Sequence, residues 1–193
     1  MSDYSQPEFY RFNQDSTALI KWVQAAGLTT NSILDLGAGS GIIGIELGRL
    51  LKPATVTLVE VQKEFKPHLE DNCRYFLPSE VSSSIVMSSF ADFKSREKFD
   101  LIVCNPPYYL PGKGEQPQNP LRAIARSFLI DSWEILLKQV SLLVSATGKI
   151  LFILKNDEQL YHSILTQIPS ELANKRHEME GLMILELFRL DKN

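Results

Sequence analysis

Five short apolar runs alternate with segments whose apolar residues recur every three to four positions, and this alternation restricts the fold more than any other feature of the chain. The runs are Ile33 to Leu36, TVTLVEV (55–61), SSIVMSS (83–89), FDLIVCN (99–105) and GKILFIL (148–154). Strands that read as near-continuous apolar runs, with helices between them, belong to a parallel sheet covered on both faces, a doubly wound α/β fold.

The intervening segments fit that order. FNQDSTALIKWVQAAGL offers Asp15 and Ser16 as N-caps, sets Leu19, Val23 and Ala26 on one face, and ends at Gly27, a good C′ residue. IIGIELGRLLKP keeps helical spacing as far as Pro53, HLEDNCRYFL does the same, and a long apolar-periodic stretch runs from Pro120 to Val144. The tail departs from simple alternation. After a helical DEQLYHSILTQI, the segments NKRHEMEG and LMILELFRL join near Gly181 as a hairpin that places one antiparallel strand in the sheet. With 193 residues and 44 % hydrophobic content, residues 1–193 are expected to form a single domain, with 1–30 as an N-terminal segment and helix flanking the cleft.

Composition narrows the partners. Lys and Arg number 20 against 23 Asp and Glu, a net charge of −3, so no global basic balance announces a nucleic-acid binder. Cys73 and Cys104 read as buried free thiols rather than a disulfide. His68, His162 and His177 lie in unrelated segments without ligand spacing, and no metal is expected. The N-terminus lacks a basic leader, and no apolar run approaches the ~20 residues of a membrane span, so a cytoplasmic protein with no membrane partner is expected. Met87 and Trp133 are expected in the core.

The first strand enters DLGAGSGIIG, with Gly37, Gly39 and Gly41 at alternate positions. Such glycines let backbone N–H groups approach a ligand at a helix N-terminus. The second strand ends at Glu60, roughly twenty residues on, where a carboxylate accepts both hydroxyls of a ribose. Together these features point to a nucleoside-containing cofactor without saying which.

ILDLGAGSG with Asp35, the acidic Glu60, and NPPY at 105–108 resemble the class I S-adenosylmethionine-dependent methyltransferases. The resemblance implies a Rossmann-like sheet of order 3-2-1-4-5-7-6 with strand 7 antiparallel. It also implies that Asp35 organises the site around the methionine part of the cofactor. Asp35, Gly37, Ala38, Gly39, Gly41, Glu60, Val61, Ser89, Phe90 and Asn105 are the expected cofactor-binding set. Ser89 next to Phe90 stands where many adenine methyltransferases end the third strand in an acid, with Asp92 the nearest one.

The chemistry of NPPY follows from its residue types. A planar amine conjugated to a ring has a delocalised lone pair, so methylating it requires acceptors for its N–H hydrogens. The Asn105 side-chain oxygen and the Pro106 carbonyl supply two, while Pro106 and Pro107 fix φ and add no donors. Tyr108 offers a ring face for the substrate, and Asn105 to Tyr108 are the expected catalytic group.

YRFNQDSTAL (10–19) and NPPYYLPGKGEQPQNPLRAIARS, with its Ala125–Arg126 pair, are similar to the bacterial tRNA1(Val) adenine-37 N6-methyltransferase family. In place of that family's His-Glu after the pair, this chain has Ser127–Phe128. The resemblance implies N6-adenine methylation of structured RNA, with Tyr10, Tyr109, Lys113, Arg122 and Arg126 as substrate contacts. Lys113, Arg122 and Arg126 against Glu115 make this stretch locally basic. Other readings stay open: a protein glutamine N5-methyltransferase, an rRNA or DNA amino-methyltransferase, or a non-catalytic cofactor-binding subunit serving a partner protein.

Overall fold

The computed structural model describes residues 4–12, 14–107, 119–126 and 130–190, apart from the side chains of 125 and 126. Seven strands form one sheet in the order β3-β2-β1-β4-β5-β7-β6. They are β1 (Ser32–Leu36), β2 (Thr55–Glu60), β3 (Ser82–Met87), β4 (Phe99–Cys104), β5 (Val144–Lys155), β6 (Leu172–Met179) and β7 (Leu182–Arg189). Strands β1 to β5 pair in parallel, and β7 runs antiparallel to both β5 and β6. The expected sheet order and the hairpin at Gly181, whose φ is 69°, are both present.

Because successive strand residues point to opposite faces, the apolar runs feed two cores. Ile33, Leu101 and Val103 pack on one side under helices α1 (Gln14–Ala25), α2 (Ile42–Leu51) and α3 (Lys66–Phe76). Leu34, Ile102 and Cys104 pack on the other, under α5 (Trp133–Leu143) and α6 (Glu158–Leu165). In the second core the Trp133 ring meets Phe152 edge-on at 5.6 Å. Truncating the fully buried Phe152 to Ala is expected to cost about 3–5 kcal/mol by urea unfolding. A loss below about 1 kcal/mol would mean this core is not packed as described.

Several local expectations are corrected. Asp15 and Ser16 do not cap α1, which already begins at Gln14; Asp15 lies in its first turn and Ser16 is buried within it. Gly27 does follow the helix in the left-handed conformation, its N–H donating to Gln24 O. Among the described residues of the Pro120–Val144 stretch are two helices, α4 (Pro120–Arg126) and α5, the latter capped by Ser132 Oγ accepting from Ile135 N. Strand β5 starts at Val144 rather than 148, because α5 passes into it directly and its pairing with β4 shifts register between Phe99 and Leu101. Gly148 permits that close pairing, since a Cβ there would lie 2.7 Å from Phe99 O. Met87 is only half-buried, being on the edge strand β3. Cys104 is buried and Cys73 half-buried, both free thiols. Among the described residues no helix is long and apolar enough to cross a membrane.

Candidate active site

In a doubly wound sheet the strand order reverses at one point, and the crevice at the carboxyl ends of the strands there is the natural ligand site. Here it lies between β1 and β4, which bring the glycine turn and Asn105 side by side. A cleft enclosing about 870 Å³, open solvent at its mouth included, occupies this position.

Its floor is the turn from Gly37 to Ser40. Gly37, Gly39 and Gly41 have φ values of 73°, 56° and 83°, the left-handed region that a side chain disfavours. Most N–H groups around this turn are committed within the protein. Gly37 N and Ala38 N both donate to Val59 O at 2.9 and 3.0 Å, Gly39 N donates to Glu60 Oε2 at 2.8 Å, and Gly41 N donates to Ala38 O at 2.8 Å. The β1–β2 register, which sets Leu36 beside Val59, places those acceptors next to the turn.

Glu60 is buried and lines the cleft. Its Oε1 accepts from Val61 N at 2.9 Å and Gln62 N at 2.8 Å, in addition to the Gly39 bond on Oε2. A carboxylate offers about four acceptor positions, so one remains, on Oε2, for an incoming hydroxyl, where the sequence suggests room for both hydroxyls of a ribose. Burial raises the Glu60 carboxyl above its usual range, and the three backbone N–H donors pull it back.

Asp35 lies beneath the turn rather than among the lining residues. Its Oδ2 accepts from Gly44 N at 2.8 Å, while its buried Oδ1 has no partner among the described residues. Burial pushes this carboxyl up to about 7, the Gly44 bond opposing and Glu60 adding to the effect. Ser40 Oγ, which lines the cleft, is also buried without a partner among the described residues. Two orphaned acceptor-bearing groups at one turn fit a ligand that carries donors or positive charge.

The walls come from distant parts of the chain. Tyr10 and Phe12 line the cleft from the N-terminal segment, and the Tyr10 ring meets Phe65 edge-on at 5.7 Å. That segment is pinned by Tyr4, whose ring stacks on Phe76 at 4.3 Å, and by Asn72, whose Nδ2 donates to both Ser5 O and Ser40 O. Opposite, Val61, Phe90, Ile124 and Ile130 supply apolar surface. Gln62 Nε2 donates to Leu121 O at 2.9 Å, which fastens α4 to the end of β2.

Asn105 stands just beyond β4 and lines the cleft, its Nδ2 donating to Ser16 Oγ at 3.3 Å. That bond turns the donor end of the amide toward α1. Pro107 also lines the cleft and Pro106 is buried beside it. Tyr108, Tyr109 and Lys113 lie outside the described residues, as does the side chain of Arg126. Arg122 is exposed on α4 and is not among the lining residues.

Of the expected cofactor set, Gly37, Ala38, Gly39, Glu60, Val61, Phe90 and Asn105 meet in the cleft. Ser89 does not: its Oγ donates to Asp92 Oδ2 at 2.7 Å and accepts from Asp92 N at 3.1 Å, outside the lining. Gly41 caps α2, where a Cβ would come within 2.9 Å of Ile45 and Leu69. Sequence reading missed Ser16, Ser40, Gln62 and Asp131, all of which line the cleft. Among the described residues no group of three or more His, Cys, Asp or Glu could hold a metal ion.

This sheet order, with a cleft at the β1–β4 switch point over a glycine turn, defines the Rossmann-like fold of class I methyltransferases. Residues 9–179 match the methyltransferase small domain, and the chain belongs to that family. It is 31 % identical over 174 residues to the tRNA1(Val) (adenine(37)-N6)-methyltransferase of Aliivibrio fischeri, covering 82 % of this chain and 70 % of that protein. To the protein of the same name from Glaesserella parasuis it is 32 % identical over 125 residues, covering 65 % of this chain but only 52 % of the relative. The chain therefore spans between about half and 70 % of the length of these two relatives. A 16S rRNA N2 methyltransferase of T. thermophilus, solved in complex with AdoMet and guanosine, shares the fold with a TM-score of 0.68 at 17 % identity. That similarity covers 93 % of this chain and 44 % of the larger one.

Proposed function

We propose that this protein uses S-adenosylmethionine to methylate the N6 amine of an adenine in tRNA. One observation carries the choice of cofactor. The N–H groups of Gly37, Ala38, Gly39 and Gly41 are all committed within the protein, and two buried acids, Asp35 and Glu60, lie at the same turn. A pyrophosphate-bearing dinucleotide needs free N–H donors at such a turn. A cofactor with sulfonium and ammonium charges and no phosphate suits a turn with one buried acid beneath it and another in the cleft lining. The adenine-in-tRNA substrate is supported by the names of the relatives and by Asn105–Pro106–Pro107 at the mouth of the cleft.

Asp35, the turn from Gly37 to Ser40, Glu60, Val61 and Phe90 would hold the cofactor. When bound, it supplies an electrophilic methyl group on a sulfonium. The protein's part is positioning and proton management. Ser16 holds the Asn105 amide by its nitrogen, which leaves the amide oxygen on the edge away from Ser16. That oxygen and the Pro106 carbonyl accept the two N–H hydrogens of the target amine, favouring the more tetrahedral nitrogen that attack requires. Tyr108 stacks on the base. Tyr10, Tyr109, Lys113, Arg122 and Arg126 hold the RNA around the mouth, the cations by phosphate contact. The seven strands among the described residues share one sheet, which supports assigning 1–193 to one methyltransferase domain; it would act in the cytoplasm, where tRNA is found.

The test is transfer of labelled methyl from S-adenosylmethionine to bulk tRNA, with rRNA and protein extracts in parallel and nucleoside analysis of the product. N6-methyladenosine from tRNA is the expected product. Label confined to protein would replace this reading with glutamine methylation, and cofactor binding without any label would leave a binding module.

A further inference from the structure

The end of β3 and the start of α5 divide their polar groups unequally around the cleft. Ser89 and Asp92 form a closed pair of hydrogen bonds with each other and neither lines it. Asp131, about forty residues further on and one position before the α5 cap, does line it. Its Oδ2 accepts from Phe90 N at 3.0 Å and its Oδ1 from Ala91 N at 3.3 Å. From within α5, the buried Gln139 donates from Nε2 to Ala91 O at 2.9 Å, so the loop that Asp131 binds is also tied to the helix.

The consequence for a ligand is chemical. The two backbone donors at this wall are taken up by Asp131, and each of its oxygens keeps acceptor capacity after one hydrogen bond. The wall therefore offers acceptors beside the apolar surfaces of Val61, Phe90 and Ile130, which suit a planar ring. A ring with an amino group on its edge gains a charge-assisted hydrogen bond there, and a ring with a carbonyl in that place meets repulsion.

We propose that Asp131 reads the 6-amino edge of the cofactor's adenine, a selectivity contact made from the α5 flank rather than from the end of β3. This rests on the cofactor assignment above and adds to it the group that discriminates the base.

The test compares binding of S-adenosylhomocysteine with that of its analogue bearing hydrogen in place of the 6-amino group, by calorimetry on the full chain. Wild type is expected to favour the amino ligand by about 10- to 100-fold, the range of one hydrogen bond to a charged acceptor. Asp131→Ala is expected to bring that preference to within about threefold, mainly by weakening the amino ligand. Asp131→Asn keeps the size and one acceptor; it should lower the preference and raise relative affinity for the 6-oxo analogue, to which its amide can donate. A structural role alone would weaken all three ligands equally. An unchanged preference in a folded variant, or none in wild type, overturns the proposal while leaving the cofactor assignment intact. Failure of wild type to bind S-adenosylhomocysteine at all overturns the cofactor assignment itself.

Discussion

Asn105→Ala is expected to reduce methyl transfer by at least about 10²-fold while leaving S-adenosylhomocysteine affinity within about twofold of wild type. The magnitude is that of removing one preorganised group from the place where charge develops in a transition state. The split between the two readouts follows from position. Asn105 follows the last residue of β4, and its amide nitrogen is held by Ser16 from α1, whereas the other groups assigned to the cofactor lie at or beyond the ends of β1, β2 and β3. Alanine removes the acceptor and leaves a small space beside Ser16 without touching the turn. Single-turnover rates and calorimetric affinities measured on the same preparation decide the matter. Loss of cofactor binding in this variant would show that Asn105 belongs to the cofactor floor, and an unchanged rate would remove it from the chemistry.

The parts of the fold that the sequence discloses are those governed by local period and by turn chemistry. The strand runs show in β1 and β4 because both faces are buried, and the hairpin shows because Gly181 supplies the positive φ its turn requires. The site was legible where a strand end carries its own signal, as at Glu60 and Asn105. It was illegible where a group acts across long separation. Ser16 looked like a helix cap because hydroxyls favour that place, yet its oxygen serves Asn105, 89 residues away. Asp131 lay unmarked inside an apolar-periodic stretch, and only the fold of the sheet brings it to Phe90. The positive φ of Gly37, Gly39 and Gly41 accounts for the glycines themselves. The use of their N–H groups depended on Val59 and Glu60, which reach the turn only through the β1–β2 pairing.

The same pairing also creates the second large effect, at Asp35. Asp35→Asn is expected to stabilise the fold by about 1–3 kcal/mol at pH 8 and to weaken S-adenosylmethionine binding by at least about 10-fold at that pH. The fold confines this carboxyl entirely, with one oxygen bonded to Gly44 N and the other without a partner among the described residues, and burial raises it to about 7 from an ordinary 3.8. A carboxyl raised in this way favours folding in its neutral form. Its contribution is fully present below about pH 4 and is lost as pH rises through about 7, at most about 4 kcal/mol by then. Asparagine removes that loss, keeps an acceptor for Gly44 N, and leaves an N–H2 donor unpaired at a cost of about 1–3 kcal/mol, which sets the smaller net gain. The advantage should therefore shrink as pH falls and reverse near pH 4, where only the cost of the unpaired donor remains, as followed by urea midpoints across the range. Binding runs the other way, since a cationic cofactor holds Asp35 ionised and drives its proton off. Wild type should release a proton on binding near pH 6–7, visible as a buffer-dependent heat in calorimetry, and Asp35→Asn should release correspondingly less. A variant less stable than wild type at pH 8, or one whose binding heat keeps the full buffer dependence, would mean that the charge beneath the turn is not what the cofactor meets.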